Sequence, residues 1–149
     1  MNTTAAINAY NHVGLETSVY GADPHKLVAM LFQGALIAVA KAKGEMLNKQ
    51  TTAKGRFISK AIAIIGEGLN ASLDKNVGGE LAQNLSALYD YMVARLVTAN
   101  LKNDAAALDE VAGLLTELRG AWDSIGPQTI QPAAQPDPVA NAVRTYART

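Results

Sequence analysis

The side chains that could catalyse a reaction are few and widely spaced. The sequence contains two histidines, His12 and His25, and no cysteine, which excludes thiolate nucleophiles, disulfides and cysteine-ligated metals. It has no His-Glu-x-x-His or Glu-x-x-His spacing for a zinc or di-iron site, and no glycine-rich phosphate loop followed by lysine. The sequence therefore predicts no catalytic residue, no metal site and no cofactor.

The remaining titratable groups are typical of helix surfaces. Asp109 and Glu110 form the only adjacent pair of carboxylates, and we interpret them as ordinary surface charge. His25 follows a helix start by two residues, so we expect it to be exposed. No group has an evident reason for a shifted pKa.

Tyr89 and Tyr91 point instead to molecular recognition. Residues two apart on a helix lie about 200° apart around its axis, so both rings cannot enter one core. Arg95 lies one turn after Tyr91 and shares its face. Tyrosine and arginine are favoured at binding surfaces.

These residues belong to a stretch with clear helical ends, from Gly78 to Asp104. Glu80 is favourable in the first turn of a helix, and Asn103-Asp104 offers caps for the next one. One apolar stripe runs through the stretch and comprises Leu81, Leu85, Leu88, Met92 and Leu96.

Two further helices are predicted before this one. Asp23-Pro24 is a strong signal for the start of a helix, and a heptad pattern of apolar residues follows it to about Leu47. After a polar turn at 48–52, a second helix carries two adjacent apolar stripes. The members of these stripes are Ile58, Ile62, Ile65 and Leu69, and Phe57, Ala61, Ile64 and Gly68. An arc this wide is either buried by the protein's own helices or presented to a partner.

A fourth helix is predicted from the apolar spacing between Leu108 and Ile125, and it ends at Gly126-Pro127. The expected fold is all-α, an antiparallel four-helix bundle over residues 23–126. Residues 1–22 form a short N-terminal arm, and residues 127–149 form a flexible tail because prolines are frequent at 127–138.

The charge balance argues against electrostatic partners. Thirteen basic and thirteen acidic residues cancel, so we expect no nucleic-acid partner. We also expect no membrane insertion, because no continuous run approaches the roughly 18 apolar residues that a membrane helix needs. The predicted location is the cytosol.

Several blocks of the chain resemble the flagellin export chaperone family. These are the GGE, LYDYM and ANLKND blocks between residues 78 and 104, together with Tyr10, Ser18, the run from Asp23 to Ala35, Lys60-Ala61-Ile62 and Ser72-Leu73-Asp74. The resemblance covers roughly residues 5–126 in the same order.

The resemblance implies a non-enzymatic bundle in the bacterial cytosol. Such a chaperone binds the disordered carboxy-terminal segment of flagellin, prevents premature polymerisation and delivers the subunit to the flagellar type III export apparatus. Export gate components or a co-chaperone are further implied partners, and a weak homodimer stays open.

The resemblance also directs the choice of partner-binding residues. The arm of these chaperones is thought to cover part of a groove and to help engage the client, and Ile7 and Tyr10 match it. Stripe geometry suggests that the second and third helices form the groove walls. The residues predicted on these walls are Ile62, Ile65, Leu69, Leu88, Tyr91, Met92 and Arg95.

A second class of function stays open beside this one. If the spare surface of the second helix joined two copies, the chain would be a self-associating structural bundle or an adaptor. An enzyme is the third class, and it lacks any assembled acid, base, nucleophile or metal.

Overall fold

The computed structural model describes residues 23–126, except for the side chains of residues 75–77. The predicted all-α four-helix bundle is confirmed. Its helices are α1 (Pro24–Leu47), α2 (Thr51–Ala63), α3 (Lys75–Lys102) and α4 (Ala105–Ile125), and α2 continues as a π-helix over Ile64–Leu69. The predicted arm at 1–22 and tail at 127–149 lie outside the described residues.

The predicted caps form at the helix ends. The Asp23 carboxylate accepts a hydrogen bond from the Lys26 amide at 2.7 Å and starts α1. Asp104 does the same for α4 through the Ala107 amide at 3.2 Å. Gly126 ends α4 with φ at 68°, a conformation that glycine adopts without steric cost.

The start of α3 differs slightly from the prediction. Helical structure begins at Lys75 rather than Gly78, but Gly79 interrupts it with φ 55° and ψ −130°. This region is essentially restricted to glycine. The uninterrupted helix therefore starts at Glu80.

The four helices pack as a closed ring. α1 contacts α2 and α4, and α3 contacts the same two helices. Within residues 23–126, the backbones of the diagonal pairs, α1 with α3 and α2 with α4, are not in contact. Lys54 of α2 is buried and donates from Nζ to Asn100 O at 2.9 Å and Asn103 Oδ1 at 2.7 Å. This places the start of α2 against the end of α3, as an antiparallel bundle requires.

The core follows the predicted stripes. The seam of α1 is buried from Val28 to Ala42, and Met46 packs at its edge. On α2 and its continuation, all the stripe residues are buried except Phe57 and Ile62, which are half-buried. The protein's own helices therefore account for most of the wide apolar arc.

The π-helix was not predicted. The Asn70 amide bonds to Ile65 O at 3.0 Å, a span of five residues instead of four. Gly66 and Gly68 lie within this turn, and glycine has a low preference for the α-helix. A single π-turn often occurs at functional sites.

Helix α1 is long and apolar enough by composition to cross a membrane, with a mean hydropathy of 1.4. Its apolar face, however, lies in the bundle core from Leu27 to Ala42. The core helix of a bundle meets the same criterion, so this feature alone is weak evidence for a membrane span.

Candidate functional site

One carboxylate on α4 holds two side chains of α3. The Tyr91 hydroxyl donates to Glu110 Oε2 at 2.6 Å. Arg95 Nε donates to Glu110 Oε1, also at 2.6 Å. Because Tyr91 and Arg95 are one turn apart, both lie on the side of α3 that faces α4.

This cluster changes the acid-base properties of its members. The Tyr91 hydrogen bond and the adjacent Arg95 hold the pKa of Glu110 below its ordinary value. The hydrogen bond to Glu110 also raises the pKa of Tyr91. Glu110 is therefore ionised and Tyr91 neutral at physiological pH.

Asp109 and Glu110 are exposed surface charges, as interpreted from the sequence, and each also contacts a neighbouring helix. Asp109 forms an ion pair with Lys43 of α1 at 2.8 Å, and Glu110 joins α4 to α3. The sequence places both carboxylates on α4 but does not show which neighbouring helices they meet.

The two tyrosines occupy opposite environments, as predicted. Tyr89 is buried in the core, and burial raises the pKa of its hydroxyl. Tyr91 keeps 45% of its surface exposed. Of the two rings, Tyr91 is the one available to a partner.

The structure does not place the predicted groove residues of α2 and α3 on one open wall. Val93 of α3 faces the end of α2, and its Cγ2 lies 3.7 Å from where a Cβ on Gly66 would stand. Tyr91 and Arg95 bond to Glu110 and so face α4 instead. Each lies two positions from Val93, which is about 200° around the helix axis. Leu88, one turn before Tyr91 and two turns before Arg95, shares their side and is half-buried.

Three predicted groove residues lie in the core. Ile65, Leu69 and Met92 have at most 1% of their surface exposed. Helical periodicity shows that such residues share a stripe but not whether another helix covers it. They are not an open groove wall in this structure, and their contact with a partner stays a prediction, as does that of half-buried Ile62. Ile7 and Tyr10 lie outside the described residues.

An exposed apolar row on α3 was missed. We call it the α3 ridge, and it consists of Ala87, Tyr91, Ala94, Val97 and Leu101. Leu101 is 78% exposed and Val97 is 43% exposed. Its members recur at steps of three or four residues and so form a second apolar row, on the face of α3 opposite Met92. This second row was the sequence signal that could have predicted the ridge.

The other end of the bundle contains an apolar cavity of about 30 Å³. Residues of α1, of the connection between α2 and α3, of α3 and of α4 line it: Val28, Phe32, Ser72, Leu73, Leu85, Tyr89, Leu118 and Trp122. Its volume is about that of one water molecule or a methyl group.

A pair of rings closes the bundle beside this cavity. His25 and Trp122 stack with centroids 4.9 Å apart and planes 9° apart. His25 Nε2 donates to Trp122 O at 2.8 Å, and Trp122 Nε1 donates to His25 O at 2.9 Å. The expectation of an exposed His25 was wrong, because the cap at Asp23 places it against the end of α4.

No metal site appears in residues 23–126, where no group of three or more acidic, histidine or cysteine side chains is placed to hold an ion. The arrangement offers an exposed apolar ridge beside a fixed tyrosine, with no assembled acid, base and nucleophile. The exposed apolar surface is suited to binding a partner.

The chain is similar to a well-defined group of proteins. A family model described as "Flagellar protein FliS" matches residues 6–129. The Flagellar secretion chaperone FliS of Salmonella typhimurium is 49% identical over 128 residues, which cover 86% of this chain and 95% of the relative. FliSB of Pseudomonas aeruginosa is 49% identical over 125 residues, covering 84% and 98%. FliS of Escherichia coli is 42% identical over 139 residues, covering 93% and 100%.

Proposed function

Because the chain belongs to the flagellar protein FliS family, we propose that it is a cytosolic export chaperone for flagellin. It binds the disordered carboxy-terminal segment of flagellin, prevents premature polymerisation and delivers the subunit to the flagellar export apparatus. Export gate components or a co-chaperone are expected to bind during delivery.

The α3 ridge is the observation that carries this proposal. A disordered segment that folds on binding loses conformational entropy, so it needs a broad apolar contact. An amphipathic helix supplies anchors at steps of three or four residues and docks them on a surface with the same spacing. The ridge has this spacing and extends along α3 from Ala87 to Leu101.

Glu110 holds one member of the ridge, Tyr91, in a fixed orientation. By holding the Tyr91 hydroxyl and the Arg95 guanidinium, it orders both side chains before a client arrives. A pre-ordered aromatic anchor loses less entropy on binding than a free one. Leu88 extends this apolar surface toward α4, and the arm residues Ile7 and Tyr10 are proposed to cover part of it.

The buried residues Ile65, Leu69 and Met92 need a different route to the client. They can contact it only if the end of α2 moves, and the π-helix with its two glycines is the part of α2 best suited to movement. Half-buried Ile62 lies just before this segment and would be uncovered by the same motion.

A non-enzymatic role is part of the proposal. Family membership implies a chaperone, and the described site contains a binding surface without a catalytic group. The alternative is a self-associating bundle that uses the α3 ridge to join two copies.

The test is calorimetric titration of the full chain with a flagellin carboxy-terminal fragment. We expect binding at micromolar concentrations or tighter, with a strongly negative heat-capacity change from apolar burial. Leu101→Ser should weaken binding by about tenfold, because it removes an exposed apolar anchor. Leu47→Ser is the matched control, since Leu47 is also highly exposed but ends α1.

Absence of binding at micromolar concentrations would contradict the proposal. Equal losses in the two leucine variants would reject the ridge as the site. Sedimentation of the free chain addresses the alternative, because a stable dimer that Leu101→Ser dissociates would assign the ridge to self-association.

A further inference from the structure

The charges of this neutral chain are divided unequally between its helices. α1 and α2, with the π-helical continuation of α2, together contain six basic and two acidic residues, whereas α4 contains one basic and four acidic residues. A net charge of zero therefore conceals a positive side of the bundle. The sequence-based argument against electrostatic partners considered only the sum.

Three exposed cations lie together on the positive side. Lys41 Nζ of α1 lies 5.6 Å from the centre of the Phe57 ring, which fixes this lysine beside α2. Arg56 adjoins Phe57 in the chain, and Lys60 follows Arg56 by one turn. Within residues 23–126, none of the three cations forms an ion pair.

Acidic groups do little to neutralise this surface. Helix α2 has no acidic residue between Thr51 and Ala63, and Glu67 of its π-helical continuation lies about two turns beyond Lys60. Glu45, the single acidic residue of α1, is half-buried one turn after Lys41 and forms no ion pair with a described residue. Lys43 is already paired with Asp109 of α4.

Apolar side chains are interspersed with the cations. Ile37 lies one turn before Lys41 and is 46% exposed, while Phe57 is half-buried. Because α1 and α2 are antiparallel, the Lys41–Phe57 contact places Ile37 alongside the turn that contains Lys60. We call this set the basic α1–α2 face: Ile37, Lys41, Arg56, Phe57 and Lys60.

The arrangement is unfavourable for the bundle alone. Like charges one turn apart on a helix repel, and Arg56 and Lys60 have this spacing with no carboxylate between Thr51 and Ala63. An exposed isoleucine between the cations adds apolar surface that remains in water. A ligand with carboxylates and an apolar stripe would relieve both costs.

We propose that the basic α1–α2 face docks an acidic amphipathic helix of a partner protein. Carboxylates at one-turn spacing pair with Arg56, Lys60 and Lys41, and the apolar stripe of the helix covers Ile37 and Phe57. Helices are recognised through this combination of apolar anchors and complementary charge.

Other anionic partners fit the face less well. Proteins that bind duplex DNA commonly neutralise about six to ten phosphates. Polybasic segments that bind anionic membranes usually cluster about four to eight cations. Three cations with two apolar groups match one face of a short helix.

This surface is separate from the proposed client site. α1 contacts α2 and α4, and α3 contacts the same two helices without approaching α1, so the outer face of α1 and the α3 ridge lie on different sides of the ring. The inference therefore does not rest on the proposed function.

The experiment measures anisotropy of a labelled acidic amphipathic peptide, with glutamates at one-turn spacing and a leucine stripe, titrated with the full chain. Binding should weaken as salt increases. Arg56→Glu and Lys60→Glu should each weaken it by about tenfold, because each replaces attraction by repulsion. Lys102→Glu is the matched control, since Lys102 is exposed at the end of α3 and should have no comparable effect.

A second peptide with the same glutamates but serine in place of leucine separates docking from simple attraction. It should bind about tenfold more weakly, because it lacks the stripe that covers Ile37 and Phe57. Equal binding of both peptides, or equal losses in all three charge variants, would overturn the proposal.

Other outcomes would reassign the face. Tighter binding to duplex DNA or to phosphatidylserine vesicles than to the acidic peptide would indicate a different class of ligand and overturn the proposal. Displacement of the peptide by a flagellin carboxy-terminal fragment would show that the face belongs to the client site. Simultaneous binding of both supports a separate surface.

Discussion

Glu110 shows how one residue can link two helices at the surface. One carboxylate oxygen accepts a hydrogen bond from Tyr91 and the other accepts one from Arg95, so the two donors do not compete for the same oxygen. All three groups are well solvated, and exposed ion pairs add little to stability. Their more important effect is to order Tyr91.

The pH dependence of this cluster follows from the lowered pKa of Glu110. Because the folded-state pKa is below the unfolded-state value, the stabilising effect is present at neutral pH. It is lost as the pH falls through the folded-state pKa. Acidification should therefore release Tyr91 before it unfolds the core.

Tyr91→Phe tests the origin of this shift. The Tyr91 hydrogen bond is the largest cause of the lowered pKa, so its removal should raise the pKa of Glu110 toward the ordinary value of 4.5. The measurement is a carboxyl NMR titration of Glu110. An unchanged Glu110 titration would mean that Arg95 alone maintains the shift.

At the scale of elements, local signals predicted where the helices begin and end. Asp23, Asp104 and Gly126 act through contacts within three residues, so the sequence contains all the information needed. The π-helix could not be predicted in this way. Its hydrogen bond spans five residues, and the only local signal for it is the low helix preference of Gly66 and Gly68.

Gly66→Ala tests whether the π-helix must move to admit the client. The new Cβ would meet Val93 Cγ2 at 3.7 Å, an ordinary contact, so the variant should fold. It should gain up to about 1 kcal/mol in unfolding free energy, because alanine favours helix. If the client requires motion at this turn, its affinity should also fall.

Gly44→Ala is the control for this prediction. Gly44 lies inside α1, and a Cβ there meets nothing within 4 Å. It should give a similar gain in unfolding free energy, measured by urea denaturation, with unchanged affinity for a flagellin fragment. Equal affinities in the two variants would indicate that the π-helix does not move on binding.

At the scale of the whole molecule, the sequence predicted the bundle but not which neighbouring helix each side chain faces. The apolar stripe through Leu85, Met92 and Leu96 predicts which face of α3 is buried. It does not predict whether Tyr91 faces α2 or α4. That choice depends on the order of helices around the ring. The same limit applies to His25 and Trp122, which lie 97 residues apart in the chain.

The His25–Trp122 pair closes the ring between the first and last helices. Its stacked rings and two reciprocal hydrogen bonds join the start of α1 to the end of α4. Such a contact forms only when α1 and α4 are packed against each other. It should therefore report on cooperative closure of the bundle rather than on local helix stability.

A double-mutant cycle of His25→Ala and Trp122→Leu tests this closure. Each single change should lower the unfolding free energy by about 1–3 kcal/mol, since each removes the stack and one hydrogen bond. Because the two side chains touch, the double variant should lose less than the sum, with a coupling energy of about 1 kcal/mol. The measurement is urea denaturation followed by circular dichroism, because Trp122 is the only tryptophan in the chain and fluorescence would be lost with it. Strict additivity would mean that the two rings stabilise their own helices separately and do not lock the ring.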